Sequence, residues 1–341
     1  MFKNSSKIMF LSILMLGSMI SISANTWIGA WMGLEINLLA FIPIMNIYQN
    51  ALTTESALKY FLTQAIASTI LLFSILIYSF KISVFSQMKM EMINIIMMMS
   101  LFLKVGMTPF HFWFPSVMEG LTWMNSLILM TWQKIAPFIL MSYLIIKPLM
   151  LATIIASAIV GALGGLNQTS LRKLMAFSSI NHMSWMASSL MSSEQLWMFY
   201  FMVYSLINMS LIFMFNFKKL LYINQIFSMN FSSQTIKFLL FLNLLSLGGL
   251  PPFSGFLSKW MVIQFLMSTQ QYIILFIMIM TSLITLFFYI RTSFSAFTFN
   301  NYQNNWLMTT NYNNLSMYLC MILSSMTLMC SPIINFMFFN F

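Results

Sequence analysis

Long apolar runs recur from one end of the chain to the other, each close to the roughly 20 residues that a helix needs to cross a bilayer. They predict helical spans near residues 8–24, 26–46, 57–80, 92–115, 121–146, 149–166, 173–191, 195–216, 237–266, 271–296 and 316–339. Between them the connections are short. Only 81–91, 217–236 and the Asn-rich 297–315 are polar enough to lie fully in water, and none leaves room for a folded extramembrane domain. The short alternating segments of a membrane β-barrel are absent. The expected fold is an all-α integral membrane protein of about 11 transmembrane helices, forming one membrane domain over residues 1–341.

Two of these spans carry a related interruption. The fourth reads Gly106-Met107-Thr108-Pro109-Phe110 and the ninth Gly249-Leu250-Pro251-Pro252-Phe253, both Gly-x-x-Pro-Phe. A proline inside a helix removes a backbone donor and clashes with the preceding turn, and the freed carbonyls must be satisfied by protein or by water in a cavity. The two segments lie five spans apart and therefore run in opposite directions. That is the arrangement of an inverted repeat, with broken helices 4 and 9, a first five-helix unit at about 8–146, a second at about 149–296, and one C-terminal helix at about 316–339. The plain alternative is a pair of ordinary proline kinks.

Composition narrows the class further. Of the 341 residues, 60% are hydrophobic and 6% charged, against about 25% charged in soluble domains, which excludes a water-soluble fold. The net charge of +10 does not mark a nucleic-acid surface, because the Lys and Arg residues are scattered one or two to a loop. Their distribution reports topology instead. With the amino terminus on one side, that side carries Lys3, Lys7, Lys59, Arg172, Lys173, Lys218, Lys219, Lys237 and Arg291, and the other only Lys81, Lys89 and Lys147. The positive-inside rule then places the first side in the compartment of synthesis. The segment Met1–Lys7 offers neither a cleavage site nor an Arg-rich presequence, so targeting is expected from the spans themselves. Cys320 and Cys330, ten apart in the last span, suit packing better than a disulfide or a metal.

Lys104, Lys134, Lys259 and Glu35 fall inside apolar spans, and Glu35 and Lys134 lie near the midpoints of theirs. A charge at mid-bilayer costs about 2.5 to 3.5 kcal/mol on insertion scales, so these groups must face the bundle or water. Desolvation penalises a buried ammonium against its neutral amine, and a lysine able to exchange its proton is what a relay needs. The structural alternative is internal pairing, but three lysines cannot all pair with one carboxylate. Lys59 and Glu119, near span ends, read as interfacial. Lys104 directly precedes the first break, whereas Lys259 lies seven residues beyond Pro252, roughly 10 Å further along a helix. That spacing places the two lysines at different depths, with Lys259 displaced toward the second side, where it would suit proton release. Under the repeat, His182 is the counterpart of Glu35, set among Ser178, Ser179, Asn181 and Ser184. It is a possible relay member or simply a satisfied core histidine.

Five segments then carry a resemblance. They are Trp31-Met32-Gly33-Leu34-Glu35-Ile36-Asn37, Thr108–Pro115 (TPFHFWFP), Thr131–Pro137 (TWQKIAP), Gly164–Lys173 (GGLNQTSLRK) and Leu247–Phe253 (LGGLPPF). On them, the chain resembles the antiporter-like subunits of the membrane arm of NADH:ubiquinone oxidoreductase, respiratory complex I, nearly end to end. Among these it is similar to the mitochondrial subunit 2 family in its insect form. The resemblance implies eleven helices and a proton relay in which Glu35 is the acid paired with Lys104, Lys134 is the central lysine and Lys259 the terminal one. It also implies a multi-pass protein of the mitochondrial inner membrane, with its N-terminus in the matrix and its C-terminus in the intermembrane space. Neighbouring antiporter-like and small membrane subunits would be its partners, with phospholipids including cardiolipin and no nucleic acid. No cofactor is expected in this chain, since FMN, iron–sulfur clusters and ubiquinone would lie elsewhere in the complex. An AT-rich organelle genome would account for the 37 methionines.

Three functions compete at this point. One is a subunit of a proton-translocating NADH:ubiquinone reductase, driven by electron transfer in other subunits. Another is a stand-alone cation/proton antiporter. The third is a membrane redox enzyme holding haem between His111 and His182, the only two histidines.

Overall fold

The computed structural model describes residues 5–46, 50–79, 87–228, 234–298 and Ser325. The predicted helix at 316–339, with Cys320 and Cys330, lies outside the described residues, as does most of the polar stretch 297–315. Among the described residues all regular structure is helical, apart from one isolated antiparallel bridge between Ser170 and Tyr222.

The helices in order are α1 (Ser5–Ser23), α2 (Trp27–Met45), α3 (Ala51–Ser79), α4 (Gln87–Val105), α5 (Trp113–Gly120), α6 (Trp123–Met130) and α7 (Trp132–Ser142). There follow α8 (Lys147–Gly165), α9 (Leu171–Leu190), α10 (Glu194–Lys218), α11 (Ile223–Ser228), α12 (Gln234–Gly248), α13 (Ser254–Ser268) and α14 (Tyr272–Thr298). Six of these, α1, α2, α3, α8, α10 and α14, contain segments long and apolar enough to cross a membrane unaided. Their exposed faces are rich in Leu, Ile, Phe and Met, as befits a surface meeting lipid.

Local chemistry sets the ends. Thr26 caps α2 by accepting from the Gly29 amide at 3.2 Å. Ser193 caps α10 by accepting from Leu196, with Glu194 in the first turn, where a negative charge meets the positive end of the helix dipole.

The chain divides into two compact units, Met1–Ala156 and Ser157–Phe341. In the first, α1 and α2 cross at Gly17 and Gly33. A Cβ on Gly33 would come within 2.5 Å of the Ser21 amide nitrogen, so only glycine permits that approach. Helix α3 then packs against α2 and against both α4 and α5, while α7 packs on α1 and α4. In the second unit, α8 meets α9 where Gly161 faces Asn181, and α10 packs against α9, α12 and α13. Helix α9 is the polar helix of this unit, buried continuously from Ser178 to Leu190.

The helices depart from the predicted spans at three places. The segments predicted at 92–115 and 237–266 each form two helices, separated by the Gly-x-x-Pro-Phe turns. The segment predicted as continuous over 121–146 is also broken, at Thr131. There the Thr131 hydroxyl and amide both bond to the Leu127 carbonyl, at 2.7 and 3.0 Å, a back-bond of the kind that bends helices. Six residues later Pro137 supplies no donor for the Gln133 carbonyl.

Candidate functional site

The two Gly-x-x-Pro-Phe breaks close in the same way. At the first, the Phe102 carbonyl accepts from the amides of Gly106 and Met107, at 2.9 and 3.0 Å. At the second, the Leu245 carbonyl accepts from Gly249 and Leu250, at 3.1 and 3.3 Å. Both breaks share the 6→1 bond of the Schellman motif, which requires a left-handed residue just past the helix; the second adds its 5→2 bond, from the Gly249 amide to the Ser246 carbonyl at 3.0 Å. Gly106 and Gly249 supply the left-handed residue, at φ of +83° and +86°.

Each break then places a lysine at the C-terminal end of its leading half-helix. Lys104 lies in the last turn of α4, buried. The carbonyls exposed around it are taken by side chains: Trp113 Nε1 donates to Leu103 at 3.1 Å and Gln64 Nε2 to Lys104 at 3.1 Å. Lys259 starts from the second turn of α13, yet its ammonium donates to the Gly248 carbonyl at 2.9 Å. The depth expected from linear spacing is therefore corrected. Helical side chains lean toward the N-terminus of their helix, so Lys259 reaches back to the break instead of extending 10 Å beyond it, and its ammonium is not displaced toward the second side. Both cations sit where the half-helix dipole is negative. Replacing Gly249 by alanine would force an L-residue into the left-handed region, at about 1–2 kcal/mol, and set a Cβ 3.0 Å from Lys259 Cδ and Nζ. The expected result is a lower thermal inactivation temperature together with reduced activity, measured on the assembled protein.

In the first unit, Lys104 and Lys134 line one cavity, with Asn37, Tyr60, Gln64 and Gln133 among the polar groups in its wall. It offers about 20 Å³ to water centres, enough for one or two molecules. Gln133 Nε2 donates to Asn37 Oδ1 at 2.9 Å, which fixes one side of the wall. Lys134 is 1% exposed, with its ammonium 5.4 Å from the centroid of the Phe114 ring, within cation–π range. The break at Thr131 starts α7 just before Lys134. Glu35 is half-buried and does not line this cavity, and no ion pair joins it to Lys104. It lies on the helix that also carries Leu34 and Asn37 into the wall. Lys59 pairs instead with Glu55 at 2.6 Å, both half-exposed, and Glu119 is exposed, in keeping with interfacial positions.

In the second unit, His182 is buried and its Nδ1 lies 2.8 Å from the Tyr200 hydroxyl, with the Tyr204 ring 5.1 Å from its own. Trp185 follows His182 at i+3 and so shares its face of α9; the Lys259 ammonium lies 5.8 Å from the Trp185 ring. In the same unit Asn181 Oδ1, Trp185 Nε1 and Ser254 Oγ are buried without a protein partner. Buried polar atoms of this kind are normally satisfied by internal water. His111 lies in the turn after the first break, half-buried, its ring 4.1 Å from that of Phe112.

The neutral polar groups Asn37, Tyr60, Gln64, Gln133 and Tyr200 were not singled out from the sequence. Tyr60 and Gln64, four apart on α3, and Tyr200 and Tyr204, four apart on α10, do carry a signal: each pair puts two polar groups on one face of an otherwise apolar helix.

These features define a class: helical membrane proteins whose broken helices present buried cations and water-sized polar space. Comparison with known proteins agrees. The family model described as NADH:quinone oxidoreductase/Mrp antiporter, TM, matches residues 24–285. NADH-ubiquinone oxidoreductase chain 2 of Anopheles gambiae is 53% identical over 317 residues, 92% of each chain. That of Aedes aegypti is 52% identical over 337 residues, 98% of this chain and 99% of its own. A chain of respiratory complex I from Thermus thermophilus superposes with a TM-score of 0.86 at 20% identity, covering 96% of this chain and 78% of its own, a likeness of fold. The chain thus belongs to the NADH:quinone oxidoreductase/Mrp antiporter membrane family and, within it, to the NADH-ubiquinone oxidoreductase chain 2 proteins.

Proposed function

We propose that this chain is a core membrane-arm subunit of NADH:ubiquinone oxidoreductase that carries protons across the mitochondrial inner membrane along buried lysines, driven by electron transfer in other subunits. The observation that carries the reading is the shared cavity of Lys104 and Lys134, walled by amides and a phenol. Water there can pass a proton between two amines, because each neighbouring group both donates and accepts hydrogen bonds. In the second unit, Tyr200 and His182 form the matching step, and Lys259 is the terminal amine. Glu35, on the helix that carries Asn37 into the cavity wall, is the acid paired with Lys104 on this reading. FMN, iron–sulfur clusters and ubiquinone belong to other subunits on this reading, and neighbouring antiporter-like and small membrane subunits are the partners.

The inverted repeat is part of the proposal. Its support is internal: the two breaks share one hydrogen-bond pattern, and α3 packs on both halves of the first broken helix as α10 does on both halves of the second. Counting each broken helix as one span gives about ten among the described helices, and 316–339 would make the eleventh. The charge asymmetry then places the N-terminus in the matrix and the C-terminus in the intermembrane space.

Glu35→Gln tests the charge without opening a cavity, since the two side chains are nearly isosteric. Proton pumping by the assembled complex is expected to fall partially, with Glu35→Asp between Gln and Glu. Full pumping in Glu35→Gln would remove Glu35 from the relay. The Mrp branch of the family keeps a stand-alone cation/proton antiporter in view. Reconstituting the chain alone under a sodium or potassium gradient separates the two, because only an autonomous antiporter would exchange.

A further inference from the structure

The second unit lacks what the first has to set against a buried lysine. The chain carries five acidic residues, Glu35, Glu55, Glu91, Glu119 and Glu194, and only Glu194 belongs to Ser157–Phe341, exposed in the first turn of α10. Lys259 is buried all the same, at 6% exposure, and no buried side-chain carboxylate of its unit can serve it as a counter-ion. A buried ammonium is costly unless an electron-rich group compensates it.

The Gly248 carbonyl is one such group, accepting from the ammonium at 2.9 Å. The other is an aromatic face: the Trp185 ring lies 5.8 Å from Lys259 Nζ, within cation–π range, and indole is the strongest aromatic partner for a cation. Packing alone does not account for tryptophan at this position. Its side chain is fully buried, yet Nε1 has no hydrogen-bond partner in the protein. An unpaired buried N–H is a penalty that phenylalanine would avoid while filling much of the same space. What indole offers in return is the more electron-rich face.

We infer that Trp185 is the positioning residue of Lys259, its indole face standing in for the carboxylate counter-ion that this unit lacks. The inference rests on Lys259 being the terminal amine of the relay. Cation–π attraction acts on the ammonium and not on the neutral amine, so the charged side chain is held at the break, against Gly248, and the neutral one is released from the ring.

The test is a double-mutant cycle on the assembled complex, read as the ratio of protons pumped to electrons transferred. Lys259→Met alone is expected to lower the ratio; a normal ratio there would overturn the relay reading and this inference with it. Trp185→Leu, which removes the aromatic face, should lower the ratio to the level of Lys259→Met, and Trp185→Phe, which keeps a weaker face, should give an intermediate value. In the Lys259→Met background neither change at Trp185 should lower it further. A cryo-EM map of the Leu variant is expected to show the ammonium away from the Gly248 carbonyl. With Lys259→Met impaired, an unchanged ratio in Trp185→Leu, or an equal loss in both backgrounds, would mark Trp185 as packing and overturn this inference alone. Should Trp185→Leu fail to assemble, Trp185→Phe decides by the same cycle: a partial loss that vanishes in Lys259→Met supports the inference, and full pumping or an additive loss overturns it.

Discussion

Alanine in place of Gly255 is expected to abolish accumulation of the assembled protein. Gly255 lies in the first turn of α13, where a Cβ would come 1.8 Å from the backbone oxygen of Ser246 on α12. No side-chain rotation relieves that contact, because the obstacle is main chain. The two half-helices would have to separate, and with them the Schellman turn at Gly249 and the Gly248 carbonyl that receives Lys259. Overpacking in well-packed interiors costs about 1–3 kcal/mol and occasionally more, and an immovable neighbour at this distance puts Gly255→Ala above that range. Blue-native electrophoresis of the complex would check it. A normal amount of assembled, thermally unaltered complex would show that the broken helix tolerates separation and that its geometry is not what positions Lys259.

The features of the fold and the site differ in how far the amino-acid sequence discloses them. The charges within spans were legible because charge is conspicuous in an apolar run: Glu35, Lys104, Lys134 and Lys259 stand out at once, and Gly-x-x-Pro-Phe marks both main breaks. Less visible was direction. Counting residues from Pro252 places Lys259 well beyond the break, whereas its flexible stem returns the ammonium to Gly248. The interruption at Thr131 escaped because no Gly-Pro pair announces it; its cause is a hydroxyl competing for the Leu127 carbonyl, a signal carried by every membrane threonine. The neutral wall of the first cavity was hidden for a related reason. Asn, Gln and Tyr inside a span cost less than a charge, so their presence alone points to no site until the fold gathers Asn37, Gln64 and Gln133 around two lysines. The place of the acid was not legible either: Glu35, on α2, stands outside the cavity that Lys104 lines.

Lys134→Met is expected to stop proton transfer through this chain while leaving the complex assembled. Lys134 is 1% exposed and set at the start of α7, where it lines the polar cavity together with the Phe114 ring. Methionine retains most of the volume and adapts to irregular surroundings, so packing is preserved as the exchangeable proton is removed. Water in the cavity would then meet an amine only at Lys104, and no second amine would receive the proton from the broken helix. The measurement is the ratio of protons pumped to electrons transferred in assembled Lys134→Met complex, or in a bacterial relative carrying the matching change. A ratio below that of the wild type, at undiminished assembly, is the predicted result; an unchanged ratio would contradict a relay through these lysines.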